Sequence, residues 1–285
     1  MFVAGELVYL ELQKTGGTHV RRLLQRHVGG TVSGKHNRLP VEAAHKFVFG
    51  SIRNPWDWYV SLWAYGVGGR GAVRARCVSG IDFGYYHRLL PRSMGKNWLT
   101  PGELLVSVYH DAVKPVPTWQ DAYGDASDPD HFRAWLHLVL DSRRRFDIGE
   151  GYGFSPLSSH AGLLTYRYLR LFTLGERLFK DKRLRSMEGI TEYDREFNIA
   201  SAMIRTECLE DDFIRVLRLA GYTLADAQVA AIRRQDAGKT NASQRRPAEY
   251  YYDAESLALV AERERFLIEK YRYDPPKISA DVQGV

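Results

Sequence analysis

Short apolar runs and helically spaced apolar residues alternate along the chain. Leu7-Val8-Tyr9-Leu10-Glu11-Leu12 predicts a first strand. Gln13-Lys14-Thr15-Gly16-Gly17-Thr18 breaks that run. Val20, Leu23, Leu24 and Val28 then recur at helical spacing, predicting a helix from about His19 to His27. Gly29-Gly30 ends it, before the short apolar pair Thr31-Val32. A second unit repeats the order. Lys46 to Ile52 reads as a buried strand, and Pro55 suits the first turn of a helix over Trp56 to Tyr65. Gly66, Gly68 and Gly69 stop that helix. Strands alternating with helices predict an α/β fold, a central parallel sheet flanked by helices.

From about Val67 to Gly162 the pattern is less regular and rich in Pro, Asp, Gly and His. Helices are predicted over His131 to Leu140, Leu163 to Phe172, Ile199 to Ala220, Ala225 to Arg234 and Ala254 to Tyr271. Lys239 to Pro247 is a polar, basic loop. No internal repeat and no long linker divides the chain. The expectation is one domain over residues 1–285, with an irregular, mostly helical insertion at about 67–193.

Composition narrows the class. The 285 residues are 45% hydrophobic and 26% charged, which excludes a disordered tail. Forty Lys and Arg against 34 Asp and Glu leave a net charge of +6, a bias that suits an anionic ligand. Cys77 and Cys208 cannot build a disulfide framework and favour a reducing compartment. No apolar run approaches a membrane span, and Glu6 and Glu11 interrupt any signal-like segment. A cytoplasmic protein with neither membrane nor nucleic-acid partner is expected. No metal-site spacing is found, so no metal is expected.

Two segments carry candidate chemistry. In Lys14-Thr15-Gly16-Gly17-Thr18, the glycines let backbone approach a ligand, and the helix start favours an anion. Lys14 adds a point charge, and Thr15 and Thr18 add hydroxyls. The loop lacks the Walker spacing, because its lysine precedes the glycines. Taken alone, it also reads as a plain strand–helix turn. Arg53 stands at the carboxyl end of the second strand, where parallel sheets bind ligands. Ser61 lies two turns into the next helix. Together they suit a second phosphate group, or else a helix start with a salt-bridged arginine.

With both segments in view, the chain resembles sulfotransferases that use 3′-phosphoadenosine 5′-phosphosulfate (PAPS), the branch containing heparan sulfate O-sulfotransferases and bacterial relatives. Their 5′-phosphosulfate loop, P-K-T-G-[GS]-[TS], is matched by Gln13 to Thr18, with Gln13 in place of the proline. Their 3′-phosphate segment, R-[ND]-P-x-x-R-x-x-S-x-[YW], is matched by Arg53-Asn54-Pro55 and Ser61-Leu62-Trp63, with Trp58 in place of the second arginine. Asn241-Ala242-Ser243, Tyr250-Tyr251 and Tyr271-Arg272-Tyr273 resemble the family's end. The resemblance implies a P-loop-like sheet, PAPS as donor and adenosine 3′,5′-bisphosphate as product. It implies that Lys14, Thr15, Gly16, Gly17 and Thr18 hold the phosphosulfate and that Arg53 and Ser61 hold the 3′-phosphate. It also implies that Lys239, Asn241 and Ser243 belong to a loop that closes over the nucleotide. The insertion would hold the acceptor.

Sulfuryl transfer to a hydroxyl needs an in-line nucleophile, a base and stabilisation of the leaving phosphate. Lys14 suits the last role. His36, in Gly34-Lys35-His36-Asn37-Arg38-Leu39-Pro40-Val41-Glu42, is the expected base, because a neutral imidazole can take an alcohol's proton. A plain loop histidine is the alternative, and His45 and Glu11 are competing bases. Trp119, Trp135, Tyr152, Phe154 and Tyr166 suit either an acceptor cleft or the core. Arg143-Arg144-Arg145 and Arg245-Arg246 suit an acidic acceptor or a solvated face. A P-loop phosphoryl transferase and a non-catalytic polyanion binder are the competing functions. The acceptor is left open among sugar hydroxyls, natural-product alcohols or phenols, and tyrosine.

Overall fold

The computed structural model describes residues 1–34, 36–82, 84, 86, 100–174, 180–234 and 245–277. Among these, five strands make one sheet in the order β3-β1-β2-β4-β5. They are β1 (Phe2–Ala4), β2 (Leu7–Leu10), β3 (Thr31–Val32), β4 (Phe47–Ile52) and β5 (Ala202–Arg205). β2, β4 and β5 run parallel, with Leu10 opposite Gly50 and Gly50 opposite Met203. β1 pairs antiparallel with both β2 and β3. The sheet is therefore mixed rather than parallel throughout. The departure comes from Gly5, whose φ of +55° turns the chain back between β1 and β2.

Helix α1 (Gly17–His27) follows β2, and α2 (Pro55–Val67) follows β4. Side chains of the central strands alternate between two cores, as the period of two demands. Leu7, Tyr9, Phe49 and Ile204 pack with Val20, Leu23 and Leu24 of α1. Val8, Leu10, Val48 and Ile52 face the larger core, with Trp58, Tyr59 and Trp63 of α2. The insertion supplies α3 (Ala72–Cys77), α4 (Pro101–Val113), α5 (Val116–Ala122), α6 (Pro129–Leu140), α7 (Leu163–Phe172) and α8 (Met187–Phe197). Trp119, Trp135, Tyr152 and Tyr166 are all nearly fully buried in that larger core. Their role is packing rather than lining a cleft.

Two expected helices come out differently. Ile199 to Ala220 is not one helix: β5 is followed by a 3-10 turn and then α9 (Leu209–Leu219). Pairing with the free side of β4 outweighs the helical spacing of a short amphipathic stretch. The carboxylates of Glu210, Asp211 and Asp212 then favour the start of α9. Beyond α10 (Asp226–Arg234), the closing helix divides into α11 (Ala254–Arg263) and α12 (Arg265–Tyr271). The break falls at Glu264, which is fully buried. Its carboxylate accepts from Leu164 N at 3.1 Å, Thr165 N at 2.9 Å, the Thr165 hydroxyl at 2.6 Å, and the Tyr59 hydroxyl. A Cβ on Gly162 would meet Glu264 Oε1 at 2.1 Å, so only glycine admits this carboxylate at the start of α7.

Among the described residues, no helix is long and apolar enough to cross a membrane. Both cysteines are free, Cys77 buried and Cys208 exposed.

Candidate functional site

The carboxyl ends of β2, β4 and β5 lie side by side, and the loops leaving them gather the polar residues. Between β2 and α1 the backbone turns twice through the left-handed region, at Lys14 (φ +65°) and Gly16 (φ +76°). For a lysine that conformation costs about 1 kcal/mol, so the surroundings must enforce it. A Cβ on Gly17 would come 2.3 Å from Glu11 Cγ, and one on Gly16 2.8 Å from Leu209 Cδ1. The glycines are thus required by packing before any ligand is considered. His19 N and Val20 N bond the Gly16 carbonyl at 2.8 and 3.1 Å, which starts α1. The N–H groups of Gly17 and Thr18 sit in the first turn, where a helix has no partner of its own to offer.

Thr15 departs from its expected use. It is fully buried, its hydroxyl donates to Leu12 O at 2.8 Å, and it meets Ser51 Oγ at 2.7 Å. Ser51 in turn meets the Tyr9 hydroxyl at 2.7 Å. The hydroxyl ties the loop to β4, and only its backbone N–H is left for a ligand. Thr18 stays half-buried at the start of α1.

Around Lys14 the charges are unbalanced. Its Nζ stands 4.1 Å from the Tyr65 ring centroid, and the Arg70 guanidinium is 4.6 Å from the same ring. Burial, then Arg53, Arg70 and Arg245, pull the Lys14 ammonium down to about 8. Arg53 donates Nη1–H to the Lys14 carbonyl at 3.2 Å and Nε–H to Asp57 Oδ2 at 2.6 Å. Arg245 donates Nη2–H to Asp57 Oδ1 at 2.5 Å. Glu207 also faces Arg53, but its Oε1 accepts from Asn54 N at 2.6 Å. Among the described residues, four cations thus meet two carboxylates, both already engaged.

Ser61 is buried on α2. Asp57, Ser61 and Tyr65 recur every four residues, so Ser61 shares the helical stripe whose two ends touch Arg53 and Lys14. Trp58 brings no charge to the site. It is buried, and its indole N–H donates to Gln13 O at 2.7 Å, bracing the loop. The Arg167 guanidinium, from α7, lies 5.6 Å from the Trp58 ring.

His36 stands exposed beside the same loop, in a left-handed turn (φ +55°). Its Nδ1 contacts the Glu11 carbonyl at 2.8 Å. A carbonyl only accepts, so Nδ1 is the donor here, and in the neutral ring that leaves Nε2 as the acceptor. Leu39, buried, anchors this segment to the core. Glu150 lies within electrostatic reach of His36. It pairs with Arg167 through Nη2 at 2.6 Å and Nε at 3.1 Å. Burial pushes the Glu150 carboxyl up, but Arg167 and then Arg170 outweigh it and hold it below its ordinary value.

The competing bases separate. His45 precedes β4 and meets Glu6 at 3.8 Å, at the amino ends of the parallel strands. A strand of that length puts it roughly 20 Å from Arg53. The Glu11 side chain packs on Gly17 and lies 3.8 Å from Arg21. Lys239, Asn241 and Ser243 lie outside the described residues, as does Lys35. Arg143 pairs with Asp141 at 2.9 Å, and Arg145 bonds the Ser142 carbonyl at 2.8 Å, so that run is local structure.

Sequence reasoning missed Asp57, Tyr65 and Arg70. The four-residue spacing from Arg53 to Asp57 and on to Tyr65 was a legible sign; nothing local pointed to Arg70. Elsewhere, an open groove of about 600 Å³ runs beside β5, lined among others by Arg205, Arg215, Asp212, Lys270 and Asp194. Among the described residues, no group of three His, Cys, Asp or Glu converges as metal ligands would. Compared with known proteins, the chain matches no family model, no curated protein and no solved structure.

Proposed function

We propose that the chain is a PAPS-dependent O-sulfotransferase with a P-loop-like sheet. The observation that carries this reading is the gathering of Lys14, Arg53, Arg70 and Arg245 around a glycine loop and a helix start, with too few carboxylates among the described residues to balance them. Such a surplus suits a ligand with several anionic groups. A nucleotide with separate 5′-phosphosulfate and 3′-phosphate groups fits the two segments that supply the cations. The phosphosulfate goes to Lys14 and the Gly16–Thr18 N–H groups, the 3′-phosphate to Arg53 and Ser61.

In the proposed reaction the acceptor oxygen attacks sulfur while its proton passes to His36 Nε2. The bond from sulfur to the bridging oxygen breaks, and its electron pair stays on the 5′-phosphate. The Lys14 ammonium offsets the charge that grows there. The hydrogen bond from Nδ1 to Glu11 O supports His36 as the base, because it fixes the tautomer in which Nε2 accepts.

The test is transfer itself. The chain, PAPS and a library of hydroxyl compounds in EDTA should yield a sulfated product by mass spectrometry, with adenosine 3′,5′-bisphosphate released. Stabilisation by ATP with Mg²⁺, and none by the bisphosphate, would instead favour phosphoryl transfer.

A further inference from the structure

Tyr65 receives two cations from different parts of the chain. Lys14 comes from the loop after β2, and its Nζ stands 4.1 Å from the ring centroid. Arg70 comes from the loop after α2, and its guanidinium carbon stands 4.6 Å from the same centroid. The second loop is shaped to bring Arg70 back. Gly69 (φ +76°) and Gly71 (φ +100°) turn through the left-handed region on either side of it. Arg70 N donates to the carbonyl of Tyr65 itself at 3.3 Å. A Cβ on Gly71 would lie 3.1 Å from Tyr65 Cδ1, so this loop closes tightly on the ring. Among the described residues, neither cation has a carboxylate partner, because Asp57, on the same face of α2, is held by Arg53 and Arg245. The ring face is then the group that offsets the Lys14 charge, by attraction of a cation to π density. The Lys14 backbone is fixed at φ +65°, but the free torsions of its side chain would still scatter the ammonium. A ring at the far end removes that freedom.

We propose that Tyr65 is a positioning residue that seats the Lys14 ammonium, and that Arg70 is a second cation on the seat, keeping the hold on Lys14 weak enough for an anion to take it over. The ring keeps the ammonium at the glycine loop before a ligand arrives. Two cations on one ring repel each other, so neither is bound as tightly as it would be alone. An anion at the loop therefore meets an ammonium already in place and loosely engaged. This role rests on the reading of Lys14 as the residue that meets the 5′ end of the nucleotide.

The test is a double-mutant cycle on the full chain, read by calorimetry with adenosine 3′,5′-bisphosphate at neutral pH. Tyr65→Leu should weaken the bisphosphate about 10-fold, and Tyr65→Phe, which keeps the ring, less than about 2-fold. In a Lys14→Met background, Tyr65→Leu should cost less than about 2-fold more, because its effect passes through the ammonium. Additive losses, or equal losses in Tyr65→Phe and Tyr65→Leu, overturn the seat and leave the nucleotide reading intact. Arg70 is read by the titration of Lys14, followed through the carbon-13 resonance of its Cε and assigned by its loss in Lys14→Met. The charged groups around Lys14 are Arg53 from the end of β4, Arg70, Arg245 from the last described stretch, and Asp57 of α2 between Arg53 and Arg245. Burial and these arginines hold the ammonium at about 8. Arg70→Gln removes one positive neighbour, so the titration should move to higher pH, and an unchanged titration overturns the part given to Arg70. A wild type that does not bind the bisphosphate removes the nucleotide reading but not the seat. The protons on Lys14 Cε, lying over a ring face, should then still resonate upfield in the wild type and in Tyr65→Phe. An upfield shift that survives Tyr65→Leu overturns the seat. Thermal melts without ligand show which variants are folded. Tyr65→Met, of similar bulk without a ring, takes the place of Tyr65→Leu if that variant does not fold.

Discussion

The groove beside β5 and the cleft around Lys14 are built from the same residue types, arginine, lysine, aspartate and tyrosine, yet their polar groups end differently. Beside β5, Arg215 bonds Met203 O at 2.8 Å and Asp212 at 2.9 Å. Lys270 pairs with Asp194, Arg205 donates to Tyr271 O, and Tyr271 meets Tyr168 at 2.9 Å. None of these side chains leaves a buried polar atom unpartnered. Arg215, with Asp212 accepting from Arg205 N at 2.7 Å, covers the outer edge of β5. That device keeps an edge strand from pairing with another chain. Around Lys14 the sums do not close: burial and then three arginines pull the ammonium down, and among the described residues Arg245 keeps an unused donor. The groove is open and roomy, but the unmet demand is at the loop. Unsatisfied charge is the better guide to a ligand than volume, because a self-satisfied polar network gains little from one.

The largest expected effect sharpens the contrast by testing chemistry on the loop side. His36→Ala should lower turnover by about 10²–10⁴ on the true acceptor while nucleotide affinity stays the same. Steady-state rates alongside calorimetry check it, and normal turnover would move attention to Glu11. Next in size is donor binding. Arg53→Ala should cost about 1.5–3 kcal/mol of adenosine 3′,5′-bisphosphate affinity. Arg215→Ala, its counterpart in the groove, should leave that affinity within about 2-fold and cost about 1 kcal/mol in chemical denaturation. Equal losses in the two variants would erase the distinction between the regions.

A pH titration sets a smaller effect. The Lys14 ammonium is held at about 8, below an ordinary lysine value of 10.5, by burial and then by its arginine neighbours. Between these values the unfolded chain binds more protons than the folded one. This lysine therefore makes the ligand-free chain more stable as pH rises through that window. An anion favours the charged form, so bisphosphate affinity should fall above pH 8, by at most about tenfold per unit. Lys14→Arg should remove that limb. Calorimetry in buffers of different ionisation heats should also detect proton uptake on binding. The smallest effect on binding belongs to Thr15→Val. Loss of its bonds to Leu12 O and Ser51 should cost about 1–2 kcal/mol of stability and change nucleotide affinity less than about 3-fold. A larger affinity loss would return the hydroxyl to the site.

Much of the fold near the loops was legible because it is local. Leu163 to Phe172 is helical at the predicted bounds, and the Gly16 cap and Pro55 start stand where local chemistry puts them. β5 was not legible. Ala202–Arg205 is a strand because β4 offers it a partner some 150 residues earlier in sequence, and no local pattern carries that. The break at Glu264 is of the same kind: a carboxylate needed at the start of α7 interrupts a continuous helical pattern. Trp119, Trp135, Tyr152 and Tyr166 had two readings in sequence, and burial decided for the core, while Phe154 is only half-buried.

The sequence by itself determined the elements that depend on near neighbours: a glycine loop between a strand and a helix, an arginine at a strand end, and the amphipathic faces that bury them. It also determined which residue types are available as donors, and the excess of cations that suits an anion. Only the tertiary structure decided which of these residues meet. Parallel pairing of β2 with β4 puts Lys14 next to Arg53, and the return of the chain near its end brings Arg245 onto Asp57. Packing also turned the Thr15 hydroxyl inward, put His45 at the far end of the strands and gave His36 its bond to Glu11. Local preference extends over a few residues, whereas charge balance and hydrogen-bond satisfaction are summed over whatever the fold brings within a few ångströms.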